Sequence, residues 1–159
     1  MAAAPMASSP WRGIWSSGRT SSDALVDNAS LIQRAKAVLN PRRISPSVEA
    51  AGVGSALATD KGNIYVGVCI DAECSLGFCA EHAAIAAMLT AGESTIETIV
   101  AVNWDGKILP PCGRCREFIY QVSSKRGNTR IVLQDKTVLL ETLLPEHWRS
   151  AIDQHEVER

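Results

Sequence analysis

Two short stretches, Cys79-Ala80-Glu81-His82 and Pro111-Cys112-Gly113-Arg114-Cys115-Arg116, decide how the rest of the chain is read. The first runs on into Ala83-Ala84-Ile85-Ala86-Ala87-Met88-Leu89, which has almost no polar face before Gly92. That pattern predicts a deeply buried helix ended by the glycine, with Cys79 at its start. Pro110-Pro111 bars helix ahead of Cys112, and the spacing of Cys115, Phe118, Ile119 and Val122 is helical beyond it. Two helix N-termini, each bearing cysteine, would then face one point. Partial positive charge there favours the thiolate, which is the metal-binding form. Cys79, Cys112 and Cys115 suit a zinc ion, and three protein ligands leave the fourth tetrahedral position open, as catalytic zinc sites do. Glu81 lies two residues past the first ligand, placed to move protons without ligating the metal.

Two other readings of these residues stay open. His82, one turn after Cys79, or Cys74 could supply a fourth ligand and close a purely structural site. The cysteines could also be small buried hydrophobes, a reading that suits Cys69 and Cys74 better than the other three.

At 159 residues, 46% hydrophobic and 21% charged, the chain has room for one domain with a proper core. Net charge of -1 supplies no basic field for a phosphate backbone, so no nucleic acid polymer is expected as partner. Five cysteines, an odd number with three at metal-ligand spacing, argue for a reducing compartment, so the expected location is cytoplasmic. No apolar run reaches the roughly 20 residues of a membrane helix, and no membrane partner is expected. Residues 1–22 are rich in Ala, Ser and Pro with no acid before Asp23, and are expected to form a disordered extension ahead of one domain over 23–159. Organellar targeting is the alternative, weakened by Trp11, Gly13, Trp15 and Gly18, which interrupt an amphipathic helix.

Leu31, Ile32, Ala35, Val38 and Leu39 share one helical face that Asn40-Pro41 ends. Residues 53–59 and 64–70 are apolar runs around Asp60-Lys61-Gly62-Asn63, a hairpin signature, and the small Val53-Gly54-Ser55-Ala56 implies that something approaches its backbone closely. Ile96 to Val102 predicts a strand buried on both faces, followed by a turn at Trp104-Asp105-Gly106-Lys107. Arg130 to Leu133 and Thr137 to Leu140 predict two last strands. Alternating strands and helices indicate an α/β sandwich.

The motifs "CAE" and "PCGRC" resemble the cytidine deaminase superfamily, specifically its small three-cysteine zinc nucleoside deaminases, which include cytidine deaminase and blasticidin-S deaminase. The likeness extends over roughly residues 28 to 150 and takes in the hairpin and Leu143-Leu144-Pro145. It implies a three-layer α/β/α sandwich with a five-stranded mixed sheet, a small-molecule nucleoside substrate and a homotetramer. It also implies that Glu81 takes a proton from the attacking water, passes it to ring N3, and then protonates the departing ammonia. Main-chain groups at Cys79 and Ala80 would hold the base. Where relatives carry Asn-x-Glu for the ribose, this chain has Cys69-Ile70-Asp71, and Trp148 matches the closing aromatic. Expected substrates are cytidine, deoxycytidine or an analogue such as blasticidin S, with a catalytically silent zinc protein as the alternative. His82 stands where an arginine is typical, so His82 and Arg116 are expected to compensate the charge of the thiolates. Loss of the Cys112 thiolate is expected to release the metal.

Overall fold

The structure, a computed structural model, describes residues 26–150 and residue 152, so the N-terminal extension expected over 1–22 lies outside the described residues. Helix α1 (Asn28–Ala37) opens where the Asp27 carboxylate accepts the Ser30 amide at 2.9 Å. Strands β1 (Arg42–Ser45), β2 (Val48–Thr59) and β3 (Ile64–Ala72) form a meander that leads to α2 (Ala80–Thr90). Strand β4 (Ile96–Asn103), the short β5 (Ile108–Leu109) and α3 (Gly113–Val122) follow, and β6 (Arg130–Val132) and β7 (Thr137–Leu139) complete the sheet.

Its main body runs β3-β2-β4-β6-β7, with β4 and β6 parallel and the other pairs antiparallel. Five of the seven strands among the described residues are thus the expected mixed sheet. The two additions are short: β1 pairs with the first residues of β2, and β5 with Ala101 and Val102 of β4. Neither is visible in the sequence, because Arg42-Arg43-Ile44-Ser45 is largely exposed and does not alternate, and two residues are too few to show a period.

Strand alternation divides the core between two faces. Ala56, Ala58, Val100, Val102 and Val132 point to one, where they meet Leu31 and Ala35 of α1. Leu57, Ile99 and Ile131 point to the other, where Ala84, Ile85 and Met88 of α2 and Ile119 of α3 cover them. The result is the expected three layers. The small residues of β2 have their reason in α1: a Cβ on Gly54 would lie 2.3 Å from the Ala35 carbonyl oxygen. On the opposite face Gly67 of β3 does the same for α2, since a Cβ there would meet the Ala84 amide nitrogen at 2.3 Å. Strand β2 also kinks, with Ala51 at φ 62° and its register shifting between Ala50 and Gly54. The kink brings Gly52 and Val53 into the lining of a cleft.

Candidate metal centre

Cys79 and Cys112 are the N-cap residues of α2 and α3, both with extended backbone (φ -70°, ψ 157° and φ -66°, ψ 168°). Neither side chain caps its helix, so both sulfurs are left for another partner. The Cys112 sulfur stands 3.7 Å from that of Cys79 and 3.5 Å from that of Cys115. Thiolates held about 2.3 Å from one zinc at tetrahedral angles sit about 3.8 Å apart, so these spacings fit a shared ion closely. Cys115 is fully buried and Cys79 half-buried, whereas Cys112 is exposed.

The electrostatics also call for a cation. Burial, the Glu81 charge and the neighbouring thiols push the Cys115 thiol far up, and burial raises Cys79. Burial disfavours the Cys112 thiolate too, but the Cys115 and Arg114 backbone amides and the flanking thiols together hold it below the usual range. Sulfurs packed together in a buried site are held as thiolates once a divalent ion binds them. Zinc fits the donor set.

Glu81, in the first turn of α2, is 5% exposed. Burial raises its carboxyl above the ordinary value, opposed by its own backbone N–H and by Cys115. With Ala80 it lines a cleft of about 650 Å³ whose walls include Cys69, Asp71, Phe78 and Trp104. Phe78 is fixed there by paired backbone hydrogen bonds with Ile70, at 2.9 and 3.0 Å. The Cys69 sulfur accepts the Val53 amide at 3.2 Å and lies 3.6 Å from an Asp71 oxygen.

His82 places Nδ1 3.5 Å from the Cys115 sulfur and stacks on Phe118, with centroids 4.6 Å apart and planes at 12°. Burial, then the Arg114 charge, holds it below the ordinary imidazole value. Arg116 turns to backbone carbonyls: its Nε donates to Pro111 at 2.8 Å and a terminal nitrogen donates to Leu143 at 3.1 Å. Trp148 is absent from the cleft lining, and its indole donates to Glu117 of α3 at 3.0 Å. Cys74 lies exposed on the turn from Glu73 to Leu76. Sequence reading missed Phe78, Trp104 and Arg114 as cleft residues. The place of Trp104, just past the end of central strand β4, was the available signal, because clefts in α/β sheets open beyond strand ends.

The fold is similar to that of cytidine deaminase from Mycobacterium tuberculosis, with a TM-score of 0.66 and 26% identity over 76% of this chain and 96% of that one. Cytidine deaminase from Burkholderia pseudomallei gives 0.62 and 26% over 76% of this chain and 98% of that one. In sequence, the curated cytidine deaminase of Mycobacterium tuberculosis is 31% identical over 70 residues, 43% of this chain and 53% of the relative, so the match spans about half of that protein. The family model for the cytidine and deoxycytidylate deaminase zinc-binding region matches residues 28–130, a span that holds all three thiolates and Glu81. On this match, with the fold and the thiolate geometry in agreement, the chain belongs to the cytidine and deoxycytidylate deaminase zinc-binding family.

Proposed function

We propose that the protein is a zinc-dependent hydrolase that removes the exocyclic amino group from a free aminopyrimidine nucleoside, releasing ammonia. The observation that carries this reading is the buried Glu81 carboxylate, on the cleft floor beside three sulfurs at zinc-ligand spacing. Bound by Cys79, Cys112 and Cys115, zinc would lower the pKa of a coordinated water toward about 7 and so supply a nucleophile at neutral pH. Glu81 accepts the proton of the attacking water and delivers it to ring N3 as the new carbon–oxygen bond forms at C4. A second transfer through the same carboxylate carries the proton of the new C4 hydroxyl to the amino nitrogen, the C4–N bond breaks as the C4 carbonyl forms, and ammonia leaves. Ala80, fully buried between Cys79 and Glu81, keeps the floor narrow and offers its main chain to the base.

Asp71 and Cys69 line the same cleft, and in this reading Asp71 accepts hydrogen bonds from sugar hydroxyls of the substrate. Cytidine, deoxycytidine and an analogue such as blasticidin S are the substrates to try first. A homotetramer is the assembly to test, by sedimentation of the active protein.

Ammonia release from a panel of aminopyrimidine nucleosides and free bases tests the activity. Glu81→Gln should keep one zinc per chain and lose about 10²–10⁴-fold or more in turnover, the usual worth of a positioned general acid/base. Near-normal turnover in that variant, or a zinc-loaded wild type that releases no ammonia from any nucleoside, would overturn the proposal.

A further inference from the structure

Two sets of three ligand atoms share the Cys79–Cys115 edge. The outer set adds the exposed Cys112 sulfur, at 3.7 and 3.5 Å. The inner set adds His82, and the ligand atoms of Cys79, His82 and Cys115 all lie within 4.8 Å of one another. A nitrogen and a sulfur on one tetrahedral zinc, at about 2.05 and 2.3 Å, are about 3.6 Å apart, and His82 Nδ1 stands 3.5 Å from the Cys115 sulfur. Cys79 and His82 are three residues apart at the head of α2, on one face, with the His82 amide bonded to the Cys79 carbonyl at 3.0 Å. The Phe118 ring, stacked at 12°, holds the imidazole in that plane.

We propose that His82 is a reserve zinc ligand: when the Cys112 thiolate is lost, the ion is retained by Cys79, His82 and Cys115. The inference rests on the zinc reading of the site and reverses the expectation that losing Cys112 releases the metal. With Cys112 in place, Nδ1 carries a hydrogen and donates it to the Cys115 thiolate. On ligation Nδ1 gives up that proton, Nε2 takes one up from solvent so that the ring stays neutral, and the Nδ1 lone pair turns to the metal. The ion then bridges an inner triad on the α2 side, and the exposed position of Cys112 is the one given up.

The test compares wild type, Cys112→Ala, Cys112→Ser, His82→Ala and the Cys112→Ala/His82→Ala double variant, each loaded with zinc. Zinc per chain and affinity are read against a competing chelator, and the coordination shell is read by X-ray absorption. Wild type should hold one zinc in a three-sulfur shell without imidazole scattering. Both Cys112 variants should hold one zinc, more weakly, with two sulfurs and a clear imidazole signature. A merely supporting histidine lowers zinc affinity by about 10–100-fold in either background, whereas a reserve ligand costs more when Cys112 is already gone. The proposal is overturned if the Cys112 variants bind zinc without imidazole, lose it altogether, or fail to fold, since a reserve ligand keeps metal and fold together. Imidazole scattering in wild type would also overturn it, by making His82 a resident ligand. A wild type that binds no zinc would instead strike the functional reading.

Discussion

The two helices that present the thiolates start alike and are held very differently. Both open on a cysteine with nearly the same backbone angles and no side-chain cap. Helix α2 is apolar nearly all round and lies against β3 and β2, so close that Gly67 leaves no room for a Cβ. Helix α3 is amphipathic, buries Cys115 and Ile119, and leaves Cys112 in solvent. A metal site built between them has one fixed half, carrying Cys79, Glu81 and His82, and one half docked from the side. Catalysis needs the fixed half, because the acid/base and its support must not drift. The docked half admits adjustment, and the reserve ligand proposed above belongs to the fixed half for the same reason.

The sharpest way to break this contrast is to move α2. Gly67→Ala adds one methyl where the Ala84 nitrogen would be 2.3 Å away and the Ala83 Cβ 2.5 Å away, neither of them a flexible side-chain end. Overpacking of this kind costs about 1–3 kcal/mol. The upper part of that range is expected, because backbone must shift, and turnover should fall with it since Glu81 rides on the helix. Urea unfolding and turnover of the variant check both, and a loss under about 0.5 kcal/mol would mean that α2 is less rigidly seated than the packing indicates.

A smaller effect is expected on the α3 side. Arg116→Ala removes charged donors from the Pro111 and Leu143 carbonyls, at about 1.5–3 kcal/mol for hydrogen bonds to a charged group, less what solvent screens at this half-buried site. Pro111 directly precedes Cys112, so the loosened loop should weaken zinc retention while leaving the α2 half intact. Zinc affinity that is unchanged in a measurably destabilised variant would separate the loop from the ligand.

Most of the candidate site was legible in the sequence because metal and proton chemistry demand particular residue types. Cys79, Glu81, Cys112 and Cys115 have few other reasons to occur at helix starts beside Pro110-Pro111 and an alanine run. The sheet was legible where strands are buried, as in β4 and the C-terminal half of β2. What escaped depends on tertiary placement. Arg116 reads as a cation for the thiolates, yet it bonds to the Pro111 carbonyl just ahead of its own helix and to the distant Leu143 carbonyl, and the second partner is one that sequence spacing cannot show. Trp148 reads as a cleft aromatic, and its indole bonds to Glu117. His82 kept two readings because an imidazole one turn from a ligand is equally able to support or to bind, and only distances divide those roles.

The far end of α2 gives the subtlest check on its fixity. Glu93, just past the helix, is buried, and its Oε1 accepts from Asn63 Nδ2 at 2.6 Å and from the Tyr65 hydroxyl at 3.0 Å. These bonds tie the helix end to the β2–β3 turn and to β3. Burial first, and then the Glu93 carboxylate, push the Tyr65 phenol up to about 12. The unfolded chain holds the same phenol near 10, so the folded state prefers it protonated. Its contribution is therefore fully present below about pH 10 and is lost as pH rises through the folded value. Tyr65→Phe removes the donor and should destabilise by about 1 kcal/mol at pH 7.5, the net worth of an ordinary hydrogen bond. The gap between wild type and variant should hold steady up to about pH 10 and narrow above it, which urea midpoints at pH 7.5, 9 and 11 would show. A gap that stays constant through pH 11 would mean that neither burial nor the Glu93 carboxylate holds the phenol neutral in the folded state.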